Sequence, residues 1–173
     1  MTAVAGEALD PLVMRRTMGR FATGVGVVTT LFEGEPHGMT VNSLTSVSLE
    51  PPLLLVCLGS GARTTEAMRA SGRFGVSILS ARQDEIALRF ARRGADHFAG
   101  LPLRFGEHEV PVVPDALAHL ECVTERQFVA GDHDVFIGAV RRVCDREGEP
   151  LAYLGGRMGD YRGRDEEPIH WFA

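Results

Sequence analysis

The chain has 173 residues, 45% of them hydrophobic and 24% charged, with a formal net charge of −5. That length suits one domain with a sizeable buried core. The acidic balance argues against a nucleic-acid groove or a polybasic membrane patch.

Residues 1–10 carry no periodic pattern and are expected to be a disordered N-terminus, with 11–173 forming a single domain. Asp10-Pro11 reads as a helix start, an N-cap followed by proline at the first helical position. A helix running to Met18 would place Leu12 and the methionines on a buried side. "VGVVTTLF" is a β-branched strand, "EGEPHG" a turn, and from Met39 the pattern alternates again. The Pro51-Pro52 step should break strand pairing, because neither proline donates a backbone hydrogen bond. "LLLVCL" then reads as a fully buried strand, "ARTTEAMRAS" as a short helix and "RFGVSIL" as another strand. Ser80 to Gln83 resembles a capping box opening a helix with Ile86 and Phe90 facing inward, a Glu85–Arg89 pair and a stop at Gly94. A loop rich in Pro and Gly follows to Pro114, and then three strands, "AHLECVTERQFVA", "HDVFIGAVRRVCD" and "PLAYLGG". Strands outnumber helices and run in neighbouring pairs, which favours a mainly β fold: an antiparallel barrel with peripheral helices.

All 18 basic residues are arginine, so a cationic contact to phosphate must come from a guanidinium, whose fork matches that group well. Cys57, Cys122 and Cys144 are far apart and form no CxxC pair, and no signal-peptide pattern opens the chain. Reduced thiols and a cytoplasmic location are the expectation. Cys57, in an apolar strand, reads as a small core residue. No apolar run approaches the roughly 20 residues that span a bilayer.

Gly24 and Gly26 precede a strand and not a helix, and Thr29 stands where a dinucleotide fingerprint needs glycine, so a Rossmann reading fails. His37, His97, His108, His119 and His170 show no metal-ligand spacing and are read as surface or structural residues. His133 differs, because Gly131-Asp132-His133 makes a tight turn between two strands. No nucleophile elbow or assembled Ser-His-Asp set is visible.

The segment "GMTVNSLTSVSLEPPLLLVCL" sets Thr40, Asn42, Ser43, Thr45, Ser46 and Ser48 directly before the most apolar run in the chain. Small polar groups along an edge with apolar walls suit a flat ring bearing carbonyls and N–H groups, such as a flavin. Asn42, Ser43, Ser46 and Ser48 could line such an edge. Ser60 and Thr64, at a helix start, and Arg93 could hold its phosphate. A Ser/Thr-rich edge strand meeting only solvent is the alternative, and the residue types alone leave both open.

"MGRFATGVGVVTT", "GMTVNSLTSVSLEPPLLLVCL", "RFGVSILS", "RFARRGADHFAG", "GDHDVFIGAV" and "PLAYLGGR" occur here in one order. Together, from about Met14 to Arg157, they resemble the short-chain flavin reductases, the reductase components of two-component flavin-dependent monooxygenases. The resemblance implies a split β-barrel of Greek-key type that binds FMN or FAD, oxidises NADH or NADPH, forms a homodimer and supplies reduced flavin to a partner monooxygenase. It implies flavin contacts at Thr40, Asn42, Ser43, Ser46, Val47 and Ser48, and a phosphate contact at Thr64. It further implies that Phe90, Ala91 and Arg93 line the far end, that His133 serves the nicotinamide, and that Arg157 belongs to the closing motif. Two departures stand out: Gly59-Ser60-Gly61-Ala62 replaces the usual basic and serine-rich stretch, and Met158 stands where Tyr or Phe usually follows the "GR". Other split-barrel roles remain open on this reading: a flavin-binding electron carrier, or a barrel adapted to another cofactor or an organic substrate.

Overall fold

The computed structural model describes residues 9–94, 96–102, 104–161 and 163. The expectation of a disordered N-terminus falls mainly on residues 1–8, outside the described residues. Helix α1 (Pro11–Met18) opens as the sequence indicates, with the Asp10 carboxylate accepting from the Leu12 amide at 2.8 Å. Its burial does not follow the expectation. No residue of α1 is buried; Leu12 is 68% and Met18 53% exposed.

Strands β1 (Thr23–Gly24) and β2 (Gly26–Phe32) come next, followed by β3 (Glu35–Val41). The expected six-residue turn is only Glu33-Gly34, both at positive φ, so β3 begins before Met39 and pairs with β2 from Glu35 onward. Strand β4 (Thr45–Leu49) turns back on β5 (Pro52–Gly59), with Leu49 opposite Pro52. The proline step therefore makes a hairpin and does not end the pairing. Strand β5 is also not buried on both faces. Leu54, Val56 and Leu58 point inward while Leu53, Leu55 and Cys57 are half-buried, the period of two that follows when one face of a sheet meets the core.

Helix α2 (Arg63–Ser71) leads into β6 (Arg73–Ile78), and α3 (Asp84–Ala91) follows. Only part of the capping box forms: Gln83 is itself the N-cap, and its side-chain oxygen accepts from the Ser80 amide at 3.0 Å. Phe90 is buried and Ile86 half-buried as expected, but Arg89 donates to the Ala99 carbonyl at 3.0 Å. The Pro/Gly-rich loop contains a small hairpin, β7 (Arg104–Phe105) with β8 (Pro111–Val112). The long strands β9 (Ala118–Ala130) and β10 (His133–Asp145) follow, then β11 (Leu151–Leu154) and β12 (Arg157–Asp160).

Seven strands form one antiparallel sheet in the order β3-β2-β6-β9-β10-β5-β4, and β11 joins β1 and β12 in a second, smaller one. The large sheet curls until β3 approaches β5. There the Ser43 hydroxyl donates to the Cys57 carbonyl at 2.8 Å and accepts from the Cys57 amide at 3.1 Å. The barrel interior is filled by Val28, Val41, Val56, Leu58, Phe74 and Phe136, with Met68 of α2 inserted among them. A second cluster, including Val27, Leu79, Ala87, Phe90 and Leu151, packs α3 and β11 onto the outer wall. Burial pushes the Cys122 thiol up to about 12 and also raises that of Cys57; Cys122 is buried in the core, while Cys57, expected there, is only half-buried on the outer face of β5. No helix among the described residues is long and apolar enough to cross a membrane.

Candidate functional site

Two cavities of similar size open on the barrel. The first, about 1060 Å³, lies between the start of β3, the end of β5, the start of α2, the end of α3 and the β9–β10 turn. One wall carries Ser60, Arg63 and Thr64, the other Phe90, Ala91 and Arg93, and His133 stands at the turn. Ser60, Thr64, Phe90, Ala91, Arg93 and His133, singled out in the sequence at widely separated positions, thus share one groove.

Helix α2 opens into this groove without a side-chain cap, since its N-cap is Ala62. The amides of its first turn have no partner within the helix, and the positive end of its dipole faces the cavity. The Ser60 hydroxyl is buried there, facing the Asp134 carboxylate, whose pKa it helps to lower. Open amides and the Arg63 and Arg93 guanidiniums make a donor set suited to phosphate. The departure at Gly59-Ser60-Gly61-Ala62 therefore removes a cationic side chain but leaves the backbone accessible: a Cβ at Gly59 or Gly61 would meet nothing within 4 Å. Thr64 is buried in the first turn of α2.

Beside this loop, with His133 opposite Gly59, Gly131 (φ +64°) makes the turn into β10, a conformation that glycine adopts without strain. The next two residues pair, His133 Nδ1 lying 2.7 Å from an Asp132 carboxylate oxygen. The His133 hydrogen bond holds the Asp132 carboxyl below its ordinary value. With Nδ1 engaged, Nε2 is the nitrogen free to meet a ligand. The floor is tight. A Cβ on Gly38 would lie 2.7 Å from Phe90 Cε1 and 3.2 Å from Phe98 Cζ.

Sequence reasoning missed other residues of this groove. His37 and His97, read as surface or structural, both line it. Burial and then the nearby Arg63 lower the pKa of His37. His97 sits between the Gly38 and Arg92 carbonyls at 2.9 and 2.7 Å and packs against Phe90. Their irregular spacing gave no signal, because three different chain segments bring them together.

The second cavity, about 1040 Å³, takes Asn42, Ser43 and Thr45 together with Arg15, Arg16 and Arg20. Tyr153 and the Gly155-Gly156 turn complete its rim. The three arginines were not anticipated, although "MRRTMGR" is the most basic stretch near the N-terminus. The polar row is thus divided by the fold. Asn42 is exposed, while the Thr40 hydroxyl is engaged internally, donating to the Ala87 carbonyl at 2.6 Å. Ser46, Val47 and Ser48 lie on the edge strand β4, where the register shifts at Val47, outside both cavities. Arg157, exposed on β12, also lines neither. Met158 is half-buried and packs against the outer cluster, leaving Tyr161 as the exposed aromatic beyond it.

A family model described as a flavin reductase like domain matches residues 18–162. The chain belongs to the flavin reductase-like family. An NADH-dependent flavin reductase of a Rhodococcus species is 40% identical over 174 residues, covering 96% of this chain and 98% of that one. A relative from Rhizobium meliloti is 43% identical over 159 residues, which is 91% of this chain but 50% of that protein. The Streptomyces globisporus NADH:FAD oxidoreductase, solved with NAD and FAD fragments, superposes with a TM-score of 0.85 at 38% identity and covers 93% of this chain and 100% of that one. Nitrilotriacetate monooxygenase component B from Mycobacterium thermoresistibile superposes at 0.87 with 35% identity, covering 92% and 91%. Membership of the flavin reductase-like family accounts for the mainly β barrel and for the order of the motifs along it.

Proposed function

We propose that this chain is an NAD(P)H:flavin oxidoreductase that binds FMN or FAD in the first cavity and reduces it. The observation that carries this reading is the pairing, in one groove, of a phosphate-ready helix start at Ser60–Thr64 with the Asp132-held His133 on the adjacent strand, directly opposite Gly59. Within such a groove the nicotinamide supplies the hydride and the flavin accepts it. The chain itself needs no nucleophile or general base for that transfer; it has to bind, stack and exclude water. Ser60, Thr64, Arg93 and the open amides of α2 hold phosphate. Phe90 shapes the floor, and Ala91 presents a small side chain at the wall, where a flat ring can approach. His133 orients the nicotinamide through Nε2. Thr40 and Ser43 act by fixing the backbone of the polar row, and Asn42 and the edge of β4, with Ser46, Val47 and Ser48, supply its outward polar groups.

One relative and two features of this chain support the setting. Component B of the nitrilotriacetate monooxygenase shares this fold closely, and a diffusing reduced flavin would serve a separate monooxygenase partner here as well. A homodimer agrees with the exposed apolar side chains of α1 and with Arg157 standing outside both cavities of a single chain. The test is direct: add FMN or FAD to the purified protein and follow NADH or NADPH absorbance. Nucleotide oxidation that scales with flavin is the expected result. Tightly held flavin without nucleotide oxidation would replace this reading with that of an electron carrier.

A further inference from the structure

Beneath the groove, an ion pair between the buried Asp134 and the part-exposed Arg69 touches both the Ser60 loop and the neighbouring Asp132–His133 turn. The Asp134 carboxylate is fully buried, next to His133 in the chain, and accepts from Arg69 of α2 twice, from Nε at 2.8 Å and from Nη2 at 2.5 Å. Gln127 of β9 donates to the same carboxylate. Arg69 also reaches outward, its Nη2 donating to the Ser60 carbonyl at 3.2 Å. The Ser60 amide in turn donates to the Asp132 carbonyl at 3.0 Å. The contacts close a ring: α2 to Asp134, Asp134 through the backbone to Asp132, Asp132 to Ser60, and Ser60 back to Arg69.

A pair of this kind is a weak source of net stability, because solvent screens the part-exposed Arg69 while desolvation of Asp134 offsets much of the Coulomb attraction. What it does supply is direction. A guanidinium fork fixed on a carboxylate leaves its remaining N–H groups in one orientation, and here one of them holds the phosphate loop.

We propose that Arg69 and Asp134 are positioning residues that lock the Gly59–Ala62 loop and the Asp132–His133 turn into one register, so that flavin and nicotinamide affinities depend on a single clamp. The proposal rests on the flavin reductase reading for its ligands but not for its geometry. Neither residue lines the groove, and both act through backbone that does.

The experiment compares wild type with Arg69→Met, Arg69→Lys and the double variant Arg69→Met/Asp134→Asn. Hydrogen exchange is measured first, on protein without added nucleotide. Arg69→Met should speed exchange in residues 59–62 and 131–134 together. Steady-state kinetics should then show KM for flavin and for the nicotinamide nucleotide rising in parallel, by about tenfold each, with kcat less affected.

A pH profile separates the clamp from mere loosening of the fold. Arg69 holds the wild-type Asp134 carboxyl at about 2, so no carboxyl inflection appears in the working range. Without the guanidinium the buried carboxyl titrates upward, and Arg69→Met should gain an inflection in both KM profiles that the double variant lacks. Arg69→Lys keeps the charge but loses the fork, and should still raise both KM values without the inflection; it decides the matter if Arg69→Met does not fold. Movement of only one loop or only one KM, or no change in a folded variant, overturns the proposal. A wild type that oxidises no nucleotide would overturn the flavin reductase reading instead, while the exchange comparison would still decide the clamp.

Discussion

Gly38 shows how little freedom single positions have at the groove floor. A methyl group there would sit 2.7 Å and 3.0 Å from two carbons of the Phe90 ring, and Phe90 is itself 1% exposed and wedged against Phe98. Gly38→Ala should therefore cost about 1–3 kcal/mol through overpacking, read as a lower urea midpoint, and should weaken flavin binding by shifting the floor. An unchanged midpoint would mean that Phe90 has room to withdraw. His133 lies at the β9–β10 turn with its side chain 47% exposed, so its removal leaves packing intact. His133→Ala should raise KM for the nicotinamide nucleotide more than it lowers flavin affinity, and an unchanged steady-state profile would remove it from the site. The place of His133 at a turn between two strands was legible in the sequence because Gly131-Asp132-His133 is a local pattern. The hydroxyls of Thr40 and Ser43 were harder to read. A sequence shows donors without their partners, and here the partners are the Ala87 and Cys57 backbones, brought near by the docking of α3 on β3 and by barrel closure respectively.

At the level of elements, the local signals held and the burial signals did not always follow. Strands β9 and β10 were visible to their ends, and so was the start of α1 at Asp10-Pro11. The apolar run of β5 suggested two buried faces, but in an antiparallel barrel one face lines the interior and the other lies outside, and composition cannot separate these when both are leucine-rich. The β6–β9 pair holds a further consequence. His119 of β9 is 8% exposed, with Nδ1 beside the Ser77 hydroxyl at 3.1 Å and Nε2 unpartnered. Burial depresses its pKa below the ordinary 6.5, against an opposing pull from Glu121. The folded protein thus takes up this proton less readily than the unfolded chain. Stability from this group is complete above the unfolded value and declines as pH falls through about 6.5 toward the folded value. His119→Gln should flatten that part of the melting temperature profile relative to wild type, whereas parallel profiles would assign the acid sensitivity to other groups.

For the molecule as a whole, the fold class and the grouping of Ser60, Thr64, Phe90, Arg93 and His133 were legible, because ordered motifs encode one topology. The division of the polar row between two cavities was not, since it depends on where the sheet curls and on side-chain bonds across the seam. The same limit applies to α1. Its spacing promised a buried stripe, yet within one chain Leu12, Met14, Met18 and the following Phe21 remain 49–68% exposed. Several exposed apolar side chains clustered in one short segment mark an association surface more often than they stay in water. If a second copy covers α1, a charge placed there should separate the copies without harming the helix. Leu12→Glu meets that condition, because an acidic side chain in the first turn favours the positive end of the helix dipole. Sedimentation velocity should show wild type at the mass of a dimer and Leu12→Glu at that of a monomer with unchanged helical signal. If the site draws residues such as Arg157 from the partner copy, the same variant should also lose flavin turnover at low protein concentration and recover part of it at high concentration. A wild type that sediments as a monomer would end the homodimer proposal, and a Leu12→Glu variant that remains dimeric would place the interface elsewhere on the barrel.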